Sequence, residues 1–342
     1  MSKIEPKVLL MYPPNQLMDI EIPRPDGSLG PLYLAGALRR AGIEAKLLDA
    51  SVGADGDSLR ETFFHRVKQP NGLTRIGMTP MRLREYFAEE KFDIVGISSM
   101  FTPQTRMVLE VAKLIKEVNP QTLVILGGVN ARALSALFLN NKNVDLIAAS
   151  ESDGVIVSIV RAWQAGNGFD GLSGVTFLKN GLPISRPVDK TTISVNLDEL
   201  AFPAWDLLPF SKYDDINSPH GSITPGKRRR YAPIMTSRGC PFSCAYCHIS
   251  EEKEDSSSGD IGNLRLKSVD RVMQEVDTLR ALGVTHMYFE DDGLLAKKKR
   301  VTEIFRRVTG LGLKISNVNG VNLIHFGIPT GGGALVPDKE YL

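Results

Sequence analysis

The sequence predicts an α/β chain in three parts: a doubly wound domain over residues 1–165, a linker with one β-hairpin over 166–231, and a second α/β region over 232–342. Three observations predict it. Short apolar runs alternate with stretches of helical spacing through the first part. Asn180-Gly181 sits between two apolar runs in the middle part. The strand–helix alternation then resumes after a proline-rich stretch.

In the first part, Val8-Leu9-Leu10-Met11-Tyr12 is an apolar run that ends at Pro13-Pro14. Leu32 to Leu38 has helical spacing and stops near Gly42. Ala45 to Asp49, Ile94 to Ser98, Leu123 to Gly127 and Leu146 to Ala148 read as four further strands. Met107 to Val118, Ala131 to Leu139 and Val155 to Trp163 read as the helices among them. Pro80 to Glu90 supplies a helix in the long stretch before the third strand. This order implies βαβ units, a parallel sheet and right-handed crossovers.

The middle part changes texture. Val175 to Leu178 and Leu182 to Ser185 flank Lys179-Asn180-Gly181, a strong hairpin signal. Pro203, Pro209, Pro219 and Pro225 follow in polar sequence and read as a linker that wraps between domains. Beyond it, Pro233 to Ser237 is a strand, Val269 to Leu282 a helix with Ser268 as N-cap, and Met287 to Phe289 a strand. Val301 to Val308 is a helix, and Lys314 to Val318 a strand.

The chain's 342 residues suit two or three domains, and 42% apolar and 23% charged residues argue against general disorder. A net charge of +2 supplies no field that would pull the whole protein toward nucleic acid or anionic lipid. No apolar run approaches the ~20 residues needed to span a bilayer. The run at Val8 to Met11 is too short for a signal-peptide core. The expectation is a soluble, cytoplasmic protein.

All three cysteines fall within eight residues, Cys240-Pro241-Phe242-Ser243-Cys244-Ala245-Tyr246-Cys247. A disulfide framework calls for even numbers spread along the chain. A C-x3-C-x2-C run after a strand suits a 4Fe-4S cluster with one iron left open, because clusters that only carry electrons usually take four cysteines. The competing metal is zinc, with His248 as fourth ligand. Structural zinc sites usually draw on two knuckles, and the chain has no second one.

The loop resembles the motif of the radical S-adenosylmethionine superfamily, including the aromatic Tyr246 before the third cysteine, the preceding Thr236-Ser237-Arg238-Gly239 and the following His248. The resemblance implies that Cys240, Cys244 and Cys247 hold the cluster and that S-adenosylmethionine chelates its open iron. One electron then yields a 5′-deoxyadenosyl radical. It also implies a partial (β/α) radical S-adenosylmethionine barrel with a cofactor-binding acidic stretch at a strand end. Glu290-Asp291-Asp292 follows the second barrel strand, where such barrels build their sites. An N-cap for the helix that follows explains the acidic run equally well. Tyr246, Glu290, Asp291, Asp292 and Asn319 are therefore the S-adenosylmethionine candidates. For Asn319 and its neighbour Asn322, a turn around Gly320 is the competing explanation.

In the first domain, Gly127-Gly128-Val129-Asn130 follows a strand and opens a helix, but the dinucleotide pattern G-x-G-x-x-G is absent. The region better resembles the Rossmann-like cobalamin-binding domain, with Ser98 after its third strand and Gly127-Gly128 after its fourth. The resemblance assigns Ser98, Gly127, Gly128 and Asn130 to cobalamin, with the serine bonding its buried nucleotide tail. Tyr12-Pro13-Pro14, Leu29 to Leu34 and Pro203 to Pro209 also look like segments of cobalamin-dependent radical enzymes. One departure is clear. Many cobalamin proteins carry D-x-H-x-x-G, whose histidine ligates cobalt, whereas Asp49 here is followed by Ala50-Ser51-Val52-Gly53. Radical members of the family often lack that histidine.

The expected function is thus a cobalamin-dependent radical S-adenosylmethionine enzyme, with methyl transfer to an unactivated carbon as its reaction. The alternatives are a radical cyclase or rearrangement enzyme without methyl transfer, and a non-catalytic cobalamin- or cluster-binding protein. The expected partners are a small-molecule substrate and an electron donor such as flavodoxin or ferredoxin. Nucleic acid is not expected, since solvated surfaces account for the basic runs at Lys227 to Arg230 and Lys297 to Arg300. A barrel unit takes about 31 residues, so Ala232 to Leu342 holds three or four of the superfamily's usual six. The sequence therefore reads as a C-terminally truncated form of a longer enzyme.

Overall fold

The computed structural model describes residues 5–25, 27–190, 193–216, 229–254, 256–330 and 334–341. Pro219, His220, Pro225, Lys227 and Arg228 lie outside them. The chain divides into two compact units. The first comprises residues 1–193, 201–212 and 257–259, and the second 194–200, 213–256 and 260–342.

The first unit is built on a seven-stranded sheet. Its strands are β1 (Val8–Tyr12), β3 (Ala45–Asp49), β6 (Ile94–Ser98), β7 (Leu123–Gly127), β8 (Leu146–Ala148), β9 (Val175–Lys179) and β10 (Leu182–Arg186), in the spatial order β10-β9-β8-β7-β6-β1-β3. The first five are mutually parallel, and β9 and β10 add antiparallel. Three short strands, β2 (Asn15–Leu17), β4 (Val67–Lys68) and β5 (Thr74–Ile76), pair separately.

Side chains alternate faces along a strand, and here both faces are apolar. Leu9, Met11, Val95, Ile97, Val124 and Leu126 pack on one face with residues of α2 (Pro80–Glu90), α3 (Thr105–Val118), α4 (Val129–Ala133) and α5 (Ser135–Leu139). Val8, Leu10, Ile94, Leu123 and Ile125 pack on the other with residues of α1 (Leu29–Arg40) and α6 (Val155–Gln164). This two-sided burial is why the strands read as continuous apolar runs. The helix expected over 131–139 is divided, because Leu134 leaves helical geometry at φ −112°, ψ 30° between α4 and α5.

The hairpin turns on Asn180 (φ 55°) and Gly181 (φ 76°), as a two-residue turn of the primed type requires. It belongs to the first unit's sheet rather than to a linker, since β9 pairs with β8 through Leu146, Ile147 and Ala148. Residues 201–212 also join that unit. Ala204 N–H donates to Leu32 O at 3.0 Å, Arg39 holds Asp206 through two bonds of 2.9 and 2.8 Å, and Trp205 is fully buried. The span read as a linker at 166–231 is thus shared between the units, with residues 194–200 and 213–231 in the second. The short helix α7 (Phe210–Tyr213) lies within this span.

The second unit contains a parallel three-stranded sheet of β11 (Tyr231–Ile234), β14 (His286–Phe289) and β15 (Lys314–Asn317), with β14 central. The crossovers carry α9 (Val269–Ala281) and α10 (Lys298–Val308). Ser268 caps α9 by accepting from Arg271 N–H, a contact worth about 1 kcal/mol. Pro233 is tolerated within β11 because that strand lies at the edge of the sheet. The strand expected over Pro233 to Ser237 divides into β11 and β12 (Ser237–Arg238). The latter pairs antiparallel with β13 (Arg265–Leu266). No helix among the described residues is long and apolar enough to cross a membrane.

Candidate functional site

The cysteine loop follows β12, shortly past the C-terminal end of β11 and beside the end of β14. Its entry is held by a buried polar network. Asp291, just past β14, accepts from Thr236 N–H at 3.0 Å to both oxygens, from the Thr236 hydroxyl at 2.8 Å and from the Ser237 hydroxyl at 2.5 Å. Arg300 on α10 donates to Thr236 O at 2.7 Å and Lys267 O at 2.8 Å. Deeper still, Glu275 accepts from both Lys267 and Arg271, and all three side chains are buried.

Gly239 then turns the chain at φ +74°, where an added Cβ would lie 2.3 Å from Asn263 O. Cys240 N–H donates to Gly262 O at 3.1 Å. Further on, Lys253 Nζ donates to Phe242 O at 2.6 Å and the Ser250 hydroxyl to Cys244 O at 2.9 Å. A small helix, α8 (His248–Glu251), begins at the third cysteine.

Cys240, Cys244 and Cys247 are free thiols and partly exposed. Among the described residues no three His, Cys, Asp or Glu side chains converge as ligands of a single metal ion. Three cysteine thiolates supplied by one loop are a donor set that suits a polynuclear cluster. The loop backbone is fixed at both ends while its thiols stay accessible, so the donor set fits a 4Fe-4S cluster.

The S-adenosylmethionine candidates separate into two kinds. Asp291 is buried with both oxygens engaged by Thr236 and Ser237, so it clamps the loop rather than facing a ligand. Burial pushes its carboxyl above the usual range, against the bonds from Ser237 and Thr236. Tyr246 is 92% exposed. The Asn319 amide reaches from beyond β15 to Glu290 O at 2.9 Å and Asp292 Oδ1 at 3.4 Å, which gathers three candidates at neighbouring strand ends. Cys240 Sγ lies 3.8 Å from Asp292 O. The Asp292 carboxyl is raised to about 6, first by the loss of surrounding water and then by the charges of Asp291 and Glu252.

In the first unit, Ser98 ends β6 opposite Gly127. Ser99, which the sequence did not single out, makes the side-chain bond. Its hydroxyl accepts from Asn130 Nδ2 at 2.9 Å, and Thr105 Oγ1 accepts from the same group at 3.0 Å. Ser99 O also accepts from Asn130 N–H at 3.2 Å at the start of α4. Gly128 sits at φ +102°, with its absent Cβ only 2.5 Å from Ser99 O, whereas a Cβ at Gly127 would meet nothing within 4 Å. Gly128 thus serves close backbone packing, and Gly127 leaves room over the strand end, as a ligand tail requires. Asn130 Oδ1 is buried without a hydrogen-bond partner among the described residues. These features fit a nucleotide tail.

At the end of β3 the Asp49 carboxylate accepts from Ser51 N–H at 2.9 Å and from its hydroxyl at 2.6 Å, and both residues are buried. The loop that follows is pinned by Lys212, whose ammonium donates to the carbonyls of Val52, Gly53, Ala54 and Asp57 at 2.6–3.2 Å. No local pattern marks that lysine in the sequence.

Residues 27–160 match the B12 binding domain family. The chain is 27% identical to cytidylyl-2-hydroxyethylphosphonate methyltransferase of Streptomyces wedmorensis, over 93% of this chain and 60% of that protein. It is 26% identical to the anaerobic magnesium-protoporphyrin IX monomethyl ester cyclase of Cereibacter sphaeroides, over 85% of this chain and 41% of that one. The chain thus spans 60% or less of the length of these relatives. Among solved structures, the radical S-adenosylmethionine methyltransferase TsrM of Kitasatospora setae, with cobalamin and a 4Fe-4S cluster bound, superposes with a TM-score of 0.61. The identity is 15%, covering 89% of this chain and 52% of that one, and the likeness is one of fold. With its two α/β units, its cysteine loop and the B12 match over residues 27–160, this chain is similar in fold to cobalamin-binding radical S-adenosylmethionine proteins.

Proposed function

We propose that this chain works in a cobalamin-dependent radical S-adenosylmethionine enzyme whose reaction is methyl transfer to an unactivated carbon of a small molecule. The observation that carries the reading is one chain joining a B12-matching unit to a three-thiol loop just beyond the first strand of a parallel sheet. When bound, the cluster supplies the electron that cleaves S-adenosylmethionine, and cobalamin supplies the methyl group.

The chain's own residues hold and orient. Cys240, Cys244 and Cys247 carry the cluster, while Asp291, Arg300 and Lys253 fix the loop's backbone. Tyr246, Glu290, Asp292 and Asn319 are assigned to S-adenosylmethionine. Ser98, Gly127, Gly128 and Asn130 are assigned to the nucleotide tail of cobalamin, with Ser99 bracing Asn130. Flavodoxin or ferredoxin is the electron donor in this reading, and the cytoplasm the setting. A second reading, ring formation without methyl transfer, draws on the similarity to the cyclase.

The test is anaerobic reconstitution with iron, sulfide and hydroxocobalamin, beside a Cys240→Ala, Cys244→Ala, Cys247→Ala triple variant. About four irons and one cobalt per chain, with only iron lost in the variant, is the expected result. Zinc in place of iron with no cobalt retained would overturn the reading. With both cofactors in place, 5′-deoxyadenosine accompanied by a methylated product separates the two chemistries.

A further inference from the structure

The parallel part of the first unit's sheet runs β3-β1-β6-β7-β8, which is the spatial order 2-1-3-4-5. Its topological switch point lies between β1 and β6, and ligands of open α/β sheets bind outside the strand ends at that point. The segments that leave these two strands are bridged by three buried amides. Gln16 Nε2 donates to Pro103 O at 3.0 Å, Gln104 Nε2 to Asn15 Oδ1 at 2.9 Å, and Asn15 Nδ2 to Arg24 O at 3.0 Å.

The orientation of each amide follows from these partners. Pro103 O and Arg24 O are main-chain carbonyls and only accept, so the NH2 ends of Gln16 and Asn15 must face them. Asn15 Oδ1 then faces Gln104, which fixes the NH2 end of Gln104 in turn. Gln16 Oε1 and Gln104 Oε1 are left without hydrogen-bond partners among the described residues, on side chains of residues only 4% and 8% exposed. Buried polar atoms are nearly always satisfied. Two unsatisfied acceptors on either side of a switch point mark a place for a ligand that brings donors.

We infer that Gln16 and Gln104 are binding residues for cobalamin, each accepting a hydrogen bond from an N–H of one of its peripheral carboxamides. The inference rests on the cobalamin reading above. The chemistry suits it, since the rim of the corrin is lined with primary amides, and an NH2 group is what a lone carbonyl oxygen lacks. Both glutamines are anchored by their own donors, so the acceptors are preorganised and little side-chain entropy is lost on binding.

The experiment titrates the full chain with hydroxocobalamin and with its monocarboxylic acids, in each of which one carboxamide is hydrolysed and its NH2 donors are lost. Binding is read from the cobalamin absorbance and from quenching of protein fluorescence. Gln16→Met and Gln104→Met should each raise the dissociation constant for hydroxocobalamin about 5-fold. Particular monocarboxylic acids should bind the unaltered chain about 10-fold more weakly than hydroxocobalamin. That penalty should shrink to about 2-fold in the variant lacking the matching acceptor. The unaltered-chain series is informative even where a variant folds poorly. Equal binding of all the acids by the unaltered chain would overturn the inference and leave the cobalamin reading standing. No binding of hydroxocobalamin by the unaltered chain would overturn both.

Discussion

Replacing Asp291 by alanine tests whether this carboxylate holds the cysteine loop or a ligand. Its two oxygens serve three donors, the Thr236 N–H, the Thr236 hydroxyl and the Ser237 hydroxyl, at a residue 1% exposed. Each buried donor left unsatisfied costs about 1–3 kcal/mol, and hydroxyls that can turn elsewhere fall at the low end. The sum is about 3–5 kcal/mol, the range found when one partner leaves a buried charged network. In a unit of this size the denaturation midpoint should fall by about 10 °C. Asp291→Asn keeps an acceptor oxygen where the three bonds converge and should cost about 1–2 kcal/mol. Asp292→Ala, whose carboxylate accepts only a 3.4 Å contact from Asn319 and braces no loop backbone, should cost less than about 1 kcal/mol. The assay is thermal unfolding of the cofactor-free chain, followed by circular dichroism and calorimetry. A clamp acts before any cofactor arrives. An Asp291→Ala chain that melts with the unaltered one yet binds S-adenosylmethionine more weakly would refute the assignment and return Asp291 to the ligand set.

Two further outcomes follow from the same geometry. Gly128→Ala would place Cβ 2.5 Å from Ser99 O at φ +102°, so it should destabilise the first unit by about 2–4 kcal/mol. Gly127→Ala, over open space, should leave the cofactor-free midpoint within a few degrees, and equal melting losses for the two would contradict this account. Burial holds the Lys267 ammonium at about 8, below its ordinary 10.5, against the attraction of Glu275. A folded pKa below the unfolded one penalises the folded state fully below pH 8, and the penalty fades between 8 and 10.5. The stability of the unaltered chain relative to Lys267→Met should therefore rise from pH 7.5 to 10 in urea titrations, and a pH-independent difference would exclude it.

Local pattern made much of the fold legible. The strands at 8–12, 94–98, 123–127 and 146–148 lie where the apolar runs placed them, because strands buried on both faces carry that signal within the run itself, and the edge strand at 45–49, with Lys46 exposed, also lies where expected. Asn180-Gly181 foretold a turn, but not that its hairpin would complete the sheet, since register against β8 leaves no mark in either strand. The cysteine loop was readable because its three thiols lie within eight residues. What holds that loop was not, since Asp291 lies 55 positions from Thr236 and Arg300 lies 64. The acidic run at 290–292 looked uniform in sequence. Only burial separates its middle member from its neighbours. Lys212 and Gln16 were passed over as single polar residues whose partners are main-chain carbonyls, which every residue has, and Gln104 because its partner Asn15 lies 89 positions away.

The placement of residues 201–212 and 257–259 with the first unit bears on how the chain is made. All seven strands of that unit's sheet are available once Arg186 has left the ribosome, but its last segment follows only at Gly259. At ordinary rates of synthesis the interval is roughly 4–15 s. The three cysteines emerge inside it, before the first unit has its full complement of chain. During synthesis the thiols are therefore presented to solvent by a half-finished molecule. Oxidation or capture of a wrong metal in that window competes directly with folding, so the supply of iron and sulfide at the time of translation should govern the yield of intact protein.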